Sequence, residues 1–237
     1  NNCGKVRILE KFSSNNWGEY GTGATIEGEE TGELFGSSVA IDSSAARIVA
    51  GAPFNNKYAR KAGAVRVYSR SGTTWTQTGN TIYGKAYNSR LGHSVSISSD
   101  GSKIAVSALY GGINEQGYVA TYRLASNNNW IQIGYKMHGY KTLDTFGNSV
   151  SMSRNGKVIA SSASFESGRV GSTYESYVRV FKEPLGEIVY TGEGYKVGDI
   201  IGGPNKIHYN VTALSNFSIL KYGRFKQHIP WRTSYPY

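Results

Sequence analysis

Four glutamates, Glu27, Glu29, Glu30 and Glu33, fall within one seven-residue stretch and form the one acidic cluster of the chain. Paired carboxylates can break a glycosidic bond, one as acid and the other as base or nucleophile. Closely set glutamates between apolar segments also describe a solvated loop between strands, and the sequence predicts that arrangement here. The four histidines, His93, His138, His208 and His228, show no metal-ligand spacing. No glycine-rich phosphate loop opens a helix, and no nucleophile elbow or Ser/His/Asp set can be picked out. The expectation is a chain without catalytic residues, without a metal and without a cofactor.

Basic residues interleaved with aromatics are a second kind of candidate. Tyr58, Arg60 and Lys61 stand together, as do Lys221, Tyr222, Arg224 and Phe225, and Trp231 and Arg232 lie in an aromatic, proline-bearing end. Such stretches can pair with anions and stack on flat ligands. They are the expected partner-binding residues. No recognised nucleic-acid-binding motif accompanies them, so nucleic acid is not the expected partner.

Composition fits that reading. There are 26 Lys and Arg against 16 Asp and Glu, a formal net charge of +10, which favours acidic partners such as an anionic glycan or an acidic protein surface. No apolar run is long enough to span a membrane. The single cysteine, Cys3, excludes an internal disulfide and a cysteine-based zinc site. The chain begins Asn-Asn-Cys without a Met, as a processed or partial product would. Asn210-Val-Thr212 and Asn216-Phe-Ser218 fit the N-glycosylation pattern.

The elements that position these residues come from a repeat. Residues 35–53 read FGSSVAIDSSAARIVAGAP and recur as LGHSVSISSDGSKIAVSAL from Leu91 and FGNSVSMSRNGKVIASSAS from Phe146, spaced 56 and then 55 residues apart. A fixed period of this size marks a repeat architecture. Each copy continues into a Gly-x-Val-x-x-Tyr-like strand and a segment with Trp75 or Trp130. An earlier partial copy, with Gly4 and Trp17, opens the chain. His93 and His138 fall at variable repeat positions. Alternation predicts strands in SVAID, SVSIS and SVSMS, and the small-residue apolar runs after them read as strands buried on both faces. Asp100-Gly101 and Asn155-Gly156 predict tight hairpin turns. Ser44-Ala45 replaces that pair in the first copy and predicts a looser turn. Four antiparallel strands in a repeated unit of about 55 residues describe β-propeller blades. The expected fold is therefore all-β: three clear blades in residues 1–181, then residues 182–237 as a degenerate fourth blade or a β-rich extension. Phe35, Leu91 and Phe146 would fill the wedges between blades, with Gly36, Gly92 and Gly147 beside them and Trp17, Trp75 and Trp130 in the repeat core.

Phe35-Gly36 together with Gly51-Ala52-Pro53 resembles the FG-GAP repeats that form the propeller at the amino end of integrin α chains. The later copies keep Gly92 and Gly147 but relax the second half to Ser107-Ala108-Leu109 and Ser162-Ala163-Ser164. The resemblance implies a propeller fold. Many blades of that family bind calcium on an Asp-rich loop, but the equivalent loops here offer only Glu115, Glu166 and Glu175. A hard cation needs several oxygens close together, so no calcium is expected. The functional expectation is a non-enzymatic structural or adhesive module that meets other protein chains of an assembly: a matrix, a surface appendage or a virion. The alternatives are an anionic-glycan-binding propeller and an enzyme acting on polysaccharide.

Overall fold

The computed structural model describes residues 2–164 and 176–182, and by backbone alone the strands at 187–191, 200–202, 208–214 and 218–223. Among the described residues there are strands and turns but no helix, so the all-β class is as the sequence predicts. Among the described residues no helix is long and apolar enough to cross a membrane. The chain divides into two compact units, Asn1–Tyr177 and Val178–Tyr237.

The first unit opens with β1 (Lys5–Arg7), β2 (Leu9–Ser13), β3 (Asn16–Glu19) and β4 (Thr25–Glu27), in which β1 pairs with β4 and β2 with β3. A full sheet follows, built from β5 (Ser38–Ile41), β6 (Arg47–Ala52), β7 (Ala64–Ser71), β8 (Thr74–Gln77) and β9 (Ile82–Tyr83); its order is β5-β6-β7-β8, with β9 also on β7. The next copy gives β10 (Leu91–Ile97), β11 (Lys103–Ala108), β12 (Tyr118–Leu124) and β13 (Trp130–His138), paired in that order. β14 (Phe146–Met152) and β15 (Val158–Ala163) form the last hairpin of this unit. The strands entering the second unit are β16 (Tyr177–Lys182), β17 (Glu187–Thr191), β18 (Ile200–Gly202), β19 (His208–Leu214) and β20 (Ser218–Gly223), ordered β16-β17-β20-β19-β18 and antiparallel throughout.

The small-residue runs are buried as predicted: every residue of β6 and β11 after the first is buried. Successive copies stack through bonds one period apart. The Ser43 N–H donates to the Ser99 carbonyl at 3.1 Å, and the Ser99 N–H donates to the Arg154 carbonyl at 2.8 Å. Gly51 packs so closely on the next copy that a Cβ there would lie 2.0 Å from the Gly92 oxygen. Phe35, Leu91 and Phe146 are buried between copies. Gly4 bridges Phe35 and Gly63 bridges Leu91 in parallel.

Two structural expectations need correction. The first-copy turn is not looser: Ala45 takes φ 51°, beside 67° at Gly101 and 65° at Gly156. Asp42 holds it, accepting from the Ala46 and Arg47 amides at 2.9 and 3.1 Å. The second concerns Trp17. Trp75 and Trp130 are 6% and 3% exposed, but Trp17 is 60% exposed. The reason lies one period upstream. The Trp75 indole donates to the Tyr20 carbonyl at 2.6 Å and the Trp130 indole to the Thr78 carbonyl at 3.0 Å, whereas none of the described residues offers Trp17 a carbonyl in that place.

Candidate functional site

The acidic cluster does not form a solvated loop at its centre. Glu33 is fully buried, and so is Arg66 of β7. The guanidinium grips the Glu33 carboxylate with both arms, Nη1 to Oε1 at 3.0 Å and Nη2 to Oε2 at 3.0 Å. Nη2 also donates to Glu29 Oε2 at 2.9 Å. The Asn55 amide and the Glu29 N–H each donate to Glu33 at 2.6 Å. The Phe35 ring closes the site, 5.2 Å from the guanidinium. Burial alone would raise the Glu33 carboxyl pKa, but the hydrogen bonds of Arg66 and Asn55 and the Arg66 charge outweigh it and hold it below the ordinary value. Burial likewise pulls Arg66 down, and the Glu33 contact more than restores it. A saturated, ionised carboxylate inside the protein has no proton to give and no room for a substrate. Glu33 is a structural counter-ion, and the paired-carboxylate reading of this loop fails on that geometry. A signal was present in the repeat: Ser89 and Ala120, both uncharged, stand at the positions of Glu33 and Arg66 in the next copy.

The loop after β6 and the loop before β10 meet beside this pair. The Asn88 N–H donates to the Arg60 carbonyl at 2.9 Å, and the Arg90 N–H donates to the Lys61 carbonyl at 3.0 Å. Lys61 sits at φ 53° and Arg90 at φ 54°, and both side chains turn onto rings. The Lys61 ammonium lies 4.9 Å from the Phe54 centroid, and the Arg90 guanidinium lies 5.2 Å from Phe54 and 4.6 Å from Tyr110. Tyr58, 63% exposed, meets Tyr83 edge to face at 5.3 Å. Lys57, Arg60 and Lys85 are exposed on the same two loops. The structure thus brings together Tyr58, Arg60 and Lys61, and adds Phe54, Lys85 and Arg90, which were not singled out in the sequence. The signal for Arg90 in the sequence is weak because the two rings it meets, Phe54 and Tyr110, lie far from it in the chain.

Of the remaining sequence candidates, Lys221 and Tyr222 lie in β20, described by backbone only, and Arg224, Phe225, Trp231 and Arg232 lie outside the described residues. Glu166 and Glu175 lie outside them too, and Glu115 is exposed. Among the described residues no three of His, Cys, Asp and Glu lie close enough to hold a metal ion. His93 is half-buried, and burial pushes its pKa down against a hydrogen bond with Asn148. Cys3 is buried.

No family model matches the chain, and no curated protein matches it. A solved structure of a Bacteroides uniformis protein, provisionally named a 6-phosphogluconolactonase, overlaps it with 13% identity and a TM-score of 0.47. The overlap covers 79% of this chain and 52% of that one, so the chain spans about half of the solved chain's length. That neighbour bears the name of an enzyme, and the expectation of a non-enzymatic structural or adhesive module is withdrawn on that finding. At this level of similarity no substrate and no site passes from the neighbour to this chain.

Proposed function

We propose that the chain is a blade-type repeat scaffold of the FG-GAP kind that recognises a carboxylate-rich polypeptide segment through its basic loop face. The observation that supports this most directly is the joining of the two loops at Arg60–Asn88 and Lys61–Arg90. It gathers Lys57, Arg60, Lys61, Lys85 and Arg90 on one surface. Two of these cations are propped on rings, which lowers the entropy lost on binding. Guanidinium and ammonium groups presented this way suit carboxylates. Lys61 and Arg90 already cover the rings of Phe54 and Tyr110, while Tyr58 and Tyr87 stay exposed, so an anionic sugar is the competing class. The one-period backbone bonds support the blade reading. The proposal concerns binding; a catalytic role is a separate question.

The test is titration of polyglutamate into the chain at increasing salt, with heparin as the competing class. Binding to polyglutamate that weakens with salt supports the proposal. Binding to heparin alone, or to neither, refutes it.

A further inference from the structure

We infer that the basic loop face prefers, among acidic polypeptides, a segment whose carboxylates are interspersed with aliphatic or aromatic side chains. The inference rests on the carboxylate-recognising role proposed above and specifies which acidic segment the face selects.

The first observation is a set of apolar groups standing among the cations. Tyr58, Tyr87 and Ile113 are 63%, 66% and 94% exposed. A single apolar side chain on a surface needs no explanation. These three, however, sit on loops that are bonded to one another. Tyr58 lies in the loop after β6, Tyr87 in the loop before β10 and Ile113 in the loop after β11. The first two loops join where the Asn88 N–H meets the Arg60 carbonyl. The third joins the second where the Tyr110 N–H donates to the Ser89 carbonyl at 3.3 Å.

The second observation is that the positive charge follows the apolar groups onto the third loop. The Lys136 ammonium, near the end of β13, lies 4.2 Å from the Tyr118 centroid. That ring packs against the loop of Ile113 so closely that a Cβ on Gly111 would lie 2.2 Å from it. Partial burial, and after it the charge of Lys85, pulls the Lys136 pKa below the ordinary value. Lys85 and Lys136 are thus neighbouring like charges, and an incoming carboxylate relieves their repulsion. The acids of the adjoining loop are already engaged, Glu29 by Arg66 at 2.9 Å and Glu30 by the Asn56 amide at 3.0 Å. Glu115 is the exposed carboxylate on the loop of Ile113.

A run of carboxylates alone would meet the cations and leave Tyr87 and Ile113 in water. A segment with apolar side chains at intervals covers both kinds of group, because an extended chain sets every second side chain on one face, about 7 Å apart. Burying a large apolar side chain adds affinity that salt does not screen, whereas the charged contacts weaken as salt rises. The two contributions can therefore be separated in one titration.

The experiment uses the 237-residue chain and two labelled peptides of equal length and charge, repeats of Glu-Glu-Leu and of Glu-Glu-Ser, followed by anisotropy at low and high salt with polyglutamate as the reference. The leucine peptide should bind roughly tenfold more tightly than the serine peptide, and the ratio should persist as salt rises. The double variant Y87S/I113S, unchanged in Tm because both side chains are exposed, should bind the leucine peptide no more tightly than the serine peptide. Equal affinity of the two peptides for the parent chain overturns this inference and leaves the carboxylate reading in place. Failure of both peptides and of polyglutamate to bind overturns both. A leucine preference that survives in Y87S/I113S puts the apolar contact elsewhere and overturns the inference. Tighter binding to phosphatidylserine vesicles than to either peptide would assign the face to a lipid surface and overturn the choice of occupant.

Discussion

Replacing Arg66 by Ala leaves the Glu33 carboxylate inside the protein with Asn55 and one backbone amide as partners. Breaking a buried ion pair from one side costs about 3–5 kcal/mol, because the remaining charge is neither solvated nor compensated. For a unit of this size roughly 1 kcal/mol shifts Tm by 2–4 °C, so the single substitution should lower Tm by about 10 °C. Glu33→Ser should also be costly, since it leaves the fully buried guanidinium with Glu29 as its one carboxylate partner. The informative variant is the double one, Glu33→Ser with Arg66→Ala, which copies the next repeat. There the Ser89 hydroxyl donates to the Ala62 carbonyl at 2.8 Å, and the counterpart of Ala62 is Cys3, whose carbonyl already receives the Phe35 amide. With both charges gone, what remains is the cavity of two truncated side chains and the Asn55 and Glu29 donors without their acceptor, together about 3–5 kcal/mol and well below the sum of the two singles. Thermal melts of the four proteins at pH 7 give the coupling energy. If the double variant is as damaged as the sum of the singles, or if either single costs less than about 1 kcal/mol, the pair does not act as described. The same pair gives a pH signature. The Glu33 pKa is depressed in the folded state, so its contribution is present above the ordinary carboxyl value of 4.5 and is lost as pH falls below it. The R66A variant should show a flatter acid limb.

The remaining predictions concern the repeat. Ala45→Gly should stabilise by about 0.5–1 kcal/mol in a urea melt, because the relief of the left-handed backbone exceeds the added entropy of the unfolded chain. Trp75→Phe removes the indole bond to Tyr20 and should cost about 1–3 kcal/mol. Trp17→Phe should change stability by no more than about 0.5 kcal/mol, despite its equivalent place in the repeat. Asp100 is held down to about 2 by the Ser98 hydroxyl and by the amide and hydroxyl of Ser102. Its stabilising effect should be complete above about pH 4 and fade toward pH 2, so the Tm difference between the chain and Asp100→Asn should close across that window.

Much of the fold could be read because the repeat supplies three versions of each position. Strand faces, the small-residue runs and the hairpin turns at Gly101 and Gly156 follow from alternation and from the few residues that accept positive φ. Ala45 shows the limit of that reading. A turn is held by the whole loop, and the Asp42 carboxylate overrides the preference of the one residue. Trp17 shows another, since residue type sets how much area there is to bury, but the neighbours that pack on it decide whether it is buried. Glu33 was read as part of a charged run because its neighbours are charged, while its partner lies 33 residues away on a strand. The paired loss of both charges at Ser89 and Ala120 was the clue. The loop face was half legible: Tyr58, Arg60 and Lys61 are adjacent in sequence, whereas Arg90 joins them only through the fold.

The most direct test of the proposed role is the affinity of polyglutamate for the chain and for the double variant R60Q/K61N, in which Asn at position 61 tolerates the left-handed backbone. Removing two cations that each contribute about 0.5–1 kcal/mol at the surface should weaken binding roughly tenfold and flatten its salt dependence, with Tm unchanged. Equal affinity and equal salt dependence in the two proteins would place the binding surface elsewhere and contradict the account.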